Sequence, residues 1–481
     1  MLRTVFRKEL LEHLVSYRFP LFLVICLALV PTSVYVNYID YAKRISDHNE
    51  QVRLANSELS ASRMWEIHMG TIPIKGFRPP SPLSVFATGF ESSLPRYYEF
   101  LAGGFKAGET SIGDESILSV AGRFDFLFIV QTILSLMVLL LASDLVSGEK
   151  ELGTLRGVLS NSVPRHTLLV GKLLGGFTSV WLPFAIAFLL SVIVLAVTSF
   201  PLSDPAIALR VIALLVAASV FMFTYLTLGL MVSAGTSRAR TSLVTILLVW
   251  ILLQLVIPKA CDMVASVLYP IRTETVVSMQ KSLVARTLDE EKAKVLGNEY
   301  VAIFGMGAKF TTDLPPGPSL DRWNAFKSET DRAYRERKAA QLGQIDDAYG
   351  NERRTQRSIA GNLSLISPGA AFTRLVTDLC GTGEIDKARY VEAVRIHQQT
   401  LDEALYSHVS KTTLILPGGG SGSSSSIDKF VDLQSLPAFS FRIASLGEAF
   451  VGNLGSLISI VFWLIAPFAV SYVRFLRYDV R

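Results

Sequence analysis

Charged residues are scarce in this chain. Only 18% of its 481 residues are Asp, Glu, Lys or Arg, against about a quarter in ordinary soluble domains. With 50% hydrophobic residues and a mean hydropathy of +0.40, that shortage argues against a soluble protein. It also excludes disorder, which needs low hydrophobicity and high net charge. Cysteine is scarce too, and three residues cannot staple a secreted framework. Cys26 lies in an apolar run, whereas Cys261 and Cys380 can pair if their compartment is oxidising. A net charge of +5 is mild, and nucleic-acid binding would need the basic residues gathered on one face.

Signatures of chemistry are missing as well. The nearest approach to a Walker A motif, Gly171-Lys172-Leu173, lacks the Ser or Thr that would meet Mg²⁺. There is no HExxH and no CxxC, and the histidines are scattered without metal-ligand spacing. The run LPGGGSGSSSS reads as a flexible tether, because no Lys-Ser/Thr follows it. The chain is therefore expected to be no enzyme and to hold no cofactor or metal of its own.

What the sequence does have is apolar length. A bilayer core about 30 Å thick takes roughly 20 helical residues to cross. Six runs qualify, at 19–39, 124–143, 173–199, 207–232, 243–262 and 450–473. The first is read as a span rather than a secretory signal. Its n-region holds Glu9 and Glu12, and no small-x-small cleavage site follows. The expected fold is an all-α polytopic membrane protein with six transmembrane helices. Lys and Arg in short loops mark the cytoplasmic side. The segments 1–18, 144–172, 233–242 and 474–481 hold 13 basic and 6 acidic residues, and the short loop 199–206 has no Lys or Arg. Both termini are thus expected inside. Arg210, one turn within the outer end of span four, is expected to snorkel outward.

Two long segments then fall outside. Segment 40–122 opens with a polar helical run and turns Pro- and Gly-rich, which reads as a stalk followed by extended loops. Segment 263–445 is expected to form a mainly helical domain. Its helices are placed at 273–300, 321–360 and 386–409, the last with Tyr390, Val394, His397 and Leu401 along one stripe. The span interiors carry almost no charge, so no ion-coupling site is visible. Gln131 and Gln254 are read as helix–helix hydrogen-bonding residues.

The loop 144–172 is the informative one. Asp144 and Ser147 can cap a helix, and Glu149 and Glu151 favour its dipole. Leu152, Leu155 and Leu159 make an apolar stripe, and Pro164 ends the helix. A short charged helix held between two spans suits the transmission of force from a soluble partner.

The run Ser147-Gly148-Glu149-Lys150-Glu151-x-Gly153-Thr154-Leu155, with Leu159-Ser160, Pro164-Arg165 and Gly171-Lys172, resembles the loop of ABC-2-type ABC transporter permeases. It is most similar to the nitrous-oxide-reductase maturation and gliding-motility permeases. The N-terminal stripe Leu2, Phe6, Leu10, Leu14 and Tyr17 resembles the interfacial elbow helix of that family. The resemblance implies a multi-pass subunit of the inner cell membrane that moves an unidentified substrate. It implies a dimer of separate ATP-binding subunits, which hold ATP and Mg, and a second permease, identical or paralogous. Carried onto this sequence, the coupling residues are Glu149, Glu151, Gly153, Thr154 and Arg156. Leu365-Ile366-Ser367-Pro368 and Leu379-Cys380-Gly381-Thr382-Gly383, with the helix through Tyr390 and His397, look like a subgroup with a large external insertion. The alternative reading is a mechanotransmission subunit that drives an extracytoplasmic partner without transport.

Overall fold

The computed structural model describes residues 2–63, 66–67, 71–101, 104–108, 124–155, 157, 164–305, 318–409 and 436–477. The Gly/Ser tether at 417–426 lies outside them. Among the described residues six helices are long and apolar enough to cross a membrane: Arg18–Ala61, Phe126–Glu151, Arg165–Val197, Pro205–Gly235, Ala239–Leu268 and Leu454–Leu476. A further helix, Leu2–Val15, precedes them. The chain divides into two compact units, Met1–Ala260 with Leu363–Arg481, and Cys261–Asn362.

In the first unit, span one packs along span three, and span four packs along spans two and six. The shared core is aromatic at one end of span four's neighbours, where Phe86, Phe126, Phe184 and Phe188 cluster. Deeper in, Phe221 stacks on Phe372 at 4.1 Å. Phe372 belongs to the helix Pro368–Leu379, most of which is buried among the spans. Twelve residues are too few to cross a bilayer, so this helix enters the bundle without spanning it. Ser367 caps it through the amide of Ala370.

Spans two and five each contain a π-helical turn, Ile129–Leu134 and Leu252–Val256. Such turns free backbone carbonyls from the regular ladder. Both glutamines singled out in the sequence sit in these turns and link helices, as expected. Gln254 donates to the Gln131 carbonyl at 3.2 Å and accepts from the Tyr225 hydroxyl at 2.8 Å. Gln131 accepts from Thr373 at 2.7 Å, and Ser367 donates to the Leu253 carbonyl at 2.6 Å.

Span one and the polar helical run after it form a single 44-residue helix, since nothing between Tyr38 and Ala61 breaks it. Two expectations need correction. The stretch read as extended loops contains a three-stranded antiparallel sheet in the order β1 (Ile74–Phe77), β2 (Tyr97–Leu101) and β3 (Gly104–Ala107). The register Ile74↔Phe100↔Phe105 sets apolar side chains opposite one another. Phe100 then buries against His397 at 4.6 Å, and the stripe Tyr390, Val394, Leu401 closes this smaller core. Finally, segment 263–445 is no single body. Its part up to Asn362 forms the second unit, whereas Leu363 onward belongs to the first.

The second unit contains two long helices, Glu274–Phe304 and Pro318–Ser364. Few of their residues are buried. The helices are joined by ion pairs instead: Arg272–Glu352 at 2.9 Å, Lys338–Asp289 at 2.9 Å, Lys292–Asp331 at 2.7 Å, and Lys281–Asp346. Tyr300 meets Trp323 edge-on at 5.2 Å.

Candidate functional site

After turns at 143–146, span two ends in a five-residue helix, Ser147–Glu151, that opens the loop to span three. Asp144 does not cap it. Its carboxylate pairs with Arg18 at 2.6 Å, and Val146 occupies the cap position. The orphan amides of Val146 and Ser147 donate instead to the Ser233 hydroxyl, each at 3.0 Å. Span four therefore supplies the cap that the loop's own side chains do not.

Glu149 turns inward. Its carboxylate accepts from Lys172 at 2.9 Å and from Lys8 at 3.1 Å. Lys172 also reaches Glu9 at 3.0 Å, and the Lys172 and Glu9 side chains are only 2% and 4% exposed. This close approach rests on glycine. A Cβ at Gly171 would lie 2.6 Å from Val5, and one at Gly175 would lie 2.7 Å from Glu9. The N-terminal helix can lie against span three only because those side chains are absent. Partial burial works against the charge on Lys8, but Glu9 and Glu149 outweigh it and hold the ammonium above its ordinary range. His13, on the same face, is held below its ordinary value by burial.

The other charges of the short helix are also turned onto the bundle. Lys150 donates to the carbonyls of Ala234 at 2.6 Å and Thr236 at 3.2 Å, closing the C-terminal end of span four. Glu151 accepts from the Ala239 amide at 2.8 Å, at the start of span five. The helix ends at Gly153, whose φ of +72° lies in the left-handed region that other residues avoid. That turn breaks the expected stripe: Leu152 is 79% exposed while Leu155 is fully buried. Leu159 and Arg156 lie outside the described residues. Thr154 is exposed and donates to the Glu149 carbonyl at 3.4 Å.

A short helix is thus fixed to the N-terminal helix and to spans three, four and five. A family profile described as ABC-2 family transporter protein matches residues 3–480. The chain belongs to the ABC-2 transporter family. No curated protein matches it. Membership and the six spans make it a multi-pass membrane protein and the permease component of an ABC transporter, a component that is not itself catalytic.

The opposite end of this ABC-2 protein's bundle is held differently. Arg210 does not snorkel to water. It is 9% exposed and donates to the carbonyls of Leu379, at 2.9 Å, and Ala444. The fold brings the carboxyl end of the inserted helix to it, where a cation is favoured. Asp125 caps span two through the Phe128 amide at 2.8 Å and accepts from the Thr88 amide at 3.0 Å. Asp378 accepts from Asn453 at 2.8 Å and from the Ile385 amide at 3.2 Å. Asp386 accepts from the Ala444 amide at 2.7 Å. Burial pushes all three carboxyls above the ordinary aspartate range. Cys261 and Cys380 both stand as free, buried thiols.

The sequence points to Glu149 and Glu151 but not to what surrounds them: Lys172 and Lys8 on Glu149, Glu9 behind Lys172, the Ala239 amide on Glu151, and Ser233 under the amides of Val146 and Ser147. One signal was available. Val5, Glu9 and His13 follow one another at four-residue spacing beside the apolar stripe, opposite two glycines four apart in span three.

Proposed function

We propose that this chain is the transmembrane subunit that couples ATP hydrolysis by a separate ATP-binding subunit to movement of a substrate across the membrane. ATP and Mg belong to that partner. Residues 144–172 and both termini face the cytoplasm, and a second permease, identical or paralogous, completes the pathway in the inner membrane. The observation that supports this is the mounting of Ser147–Glu151. Its amides, both carboxylates and its lysine are bonded to four other elements, so a push on it reaches spans three, four and five together.

A mechanotransmission subunit acting on an extracytoplasmic partner is the second reading. The feature that favours it is the pair of long, ion-paired helices Glu274–Phe304 and Pro318–Ser364. The primary reading is tested by purifying the full chain from its own membranes in mild detergent. ATP hydrolysis and an ATP-binding subunit in near-equal amount should accompany it. A preparation without either contradicts the proposal.

A further inference from the structure

The inserted helix Pro368–Leu379 has two unlike sides. Phe372, Leu375, Val376 and Leu379 are buried, whereas Ala370, Thr373 and Arg374, spaced to share the other side, stay partly exposed. That side opens between spans two and five. Thr373 donates to Gln131 of span two at 2.7 Å, and Gly369 lies so close to Gln254 of span five that a Cβ there would collide with it. The helix rises from Leu253, at the middle of span five, to Arg210, near the start of span four. Arg374 is thus a cation set within the bundle, with polar neighbours on its own side.

Nothing inside the chain answers that charge as carbonyls answer Arg210. Asp378, one turn on, is near enough to feel it, yet its oxygens already accept from Asn453 and from the Ile385 amide. Among the described residues no carboxylate forms an ion pair with Arg374, and its guanidinium donates to no acceptor. A cation at membrane depth is costly, and such residues mark the routes of polar cargo. A guanidinium presents a planar fork of donors that fits two oxygens of a phosphate or carboxylate.

We infer that Arg374 binds an anionic group, phosphate or carboxylate, of the molecule this permease moves. The inference rests on the function proposed above and names the chemistry of its substrate. Gln131 and Thr373 bond to each other and so hold the polar side of the helix beside span two, while the guanidinium stays open to the ligand.

The test uses the full-length chain in nanodiscs of net-neutral phosphatidylcholine, with and without the ATP-binding subunit that co-purifies with it. Dodecyl phosphate is the probe, and dodecyltrimethylammonium carries the same tail with the opposite charge. Three variants are compared with the wild type: Arg374→Gln, Arg374→Lys, and Arg395→Gln, which changes an exposed arginine of the helix Glu384–Val409. All should elute as the wild type does, because the Arg374 side chain is bonded to nothing in the fold. Dodecyl phosphate should bind the wild type and Arg395→Gln alike, and Arg374→Gln about tenfold or more weakly, with Arg374→Lys between them. Dodecyltrimethylammonium should not distinguish the four. Inorganic phosphate separates two sources of the anion: competition with the probe assigns a soluble substrate, and its absence assigns a lipid-like one. With the ATP-binding subunit present, dodecyl phosphate should raise ATP hydrolysis in the wild type and not in Arg374→Gln.

Wild-type binding by Arg374→Gln overturns the inference, as does a bound probe that leaves wild-type hydrolysis unchanged. Separation of a dimeric wild type into monomers by Arg374→Gln overturns it too, since the guanidinium would then meet a second copy of the chain. Each of these leaves the proposed function standing. A chain that brings no ATP-binding subunit with it contradicts that function, and with it the assignment of the anion as substrate.

Discussion

The two ends of the helical bundle bury charge in different ways. Around Ser147–Glu151 the most buried charges meet one another: Glu9, Lys172 and Glu149 form a chain across three elements, beside the backbone contacts of Ser233, Lys150 and Glu151. Around the inserted helix Pro368–Leu379, side chain meets backbone: Arg210 holds two carbonyls, and Asp125, Asp378 and Asp386 hold amides. An ion pair weakens only gradually with distance, whereas a hydrogen bond to a fixed backbone group weakens steeply with angle. The first arrangement keeps its grip while its members shift slightly. The second fastens. The ionic chain from Glu9 to Glu149 thus survives small displacement, whereas the backbone contacts of Arg210 and the three aspartates pin the end beside Pro368–Leu379.

The largest expected effect comes from breaking the ionic chain. Lys172→Met takes the buried ammonium from Glu9 and Glu149, leaves them only the half-exposed Lys8, and should destabilise the protein by up to about 3–5 kcal/mol. Adding Glu9→Gln and Glu149→Gln should recover most of the loss, because the uncompensated charge is gone. Urea unfolding in nanodiscs, followed by far-UV circular dichroism, reads both. A single variant within about 1 kcal/mol of the wild type would erase the contrast between the ends.

Next in size is Arg210→Leu. It strands the carbonyls of Leu379 and Ala444 in a buried place, at roughly 2–4 kcal/mol for the two together. Hydrogen exchange should accelerate in 379–386 and 444–449 and stay unchanged in 147–151. Acceleration at both ends would show that the fastening is not local.

Acid should separate the ends further. Burial holds His13 below the ordinary histidine value of 6.5. The unfolded chain therefore takes up a proton there before the folded one does, and stability falls as pH drops below about 6.5. Asp378 and Asp386 are raised by burial. The folded chain binds those protons more tightly, so acidification through their raised values toward the unfolded aspartate value of 3.8 strengthens that end, and the gain is lost as pH rises through the folded values. His13→Gln should remove the acid loss, and Asp378→Asn with Asp386→Asn should remove the acid gain. Parallel pH profiles for these variants and the wild type would contradict the assignment.

The smallest effect concerns salt. The ion pairs of the second unit are largely exposed, for instance Arg286–Glu290 and Lys338–Asp289. Raising NaCl should weaken that unit by less than about 1 kcal/mol while leaving the buried Glu9–Lys172 pair unmoved. Local hydrogen exchange in 274–304 and in the N-terminal helix distinguishes the two.

Much of this was legible in the sequence, for reasons that can be named. Apolar runs long enough to cross a bilayer mark a helix whatever surrounds them, and all six appear among the described residues. The charged run Ser147–Glu151 marked the loop helix just as plainly. Its orientation was not legible, because that depends on Lys172 and on Glu9, which is 163 residues away from it. Arg210 carried the same difficulty. Near a span end an arginine has water within reach, and only the folded chain shows that two carbonyls arrive first. The strands were missed because YYEFL and its neighbours are four or five residues long, too short for alternation to declare itself.

The central proposal is that the Ser147–Glu151 end of the bundle, and not the end beside Pro368–Leu379, meets the ATP-binding subunit. A photoreactive amino acid placed at position 152, and in a second protein at position 396, tests it directly in intact cells. Irradiation should join the ATP-binding subunit to the chain from position 152 and not from position 396. Cross-linking from 396 alone, or equally from both, would contradict the account.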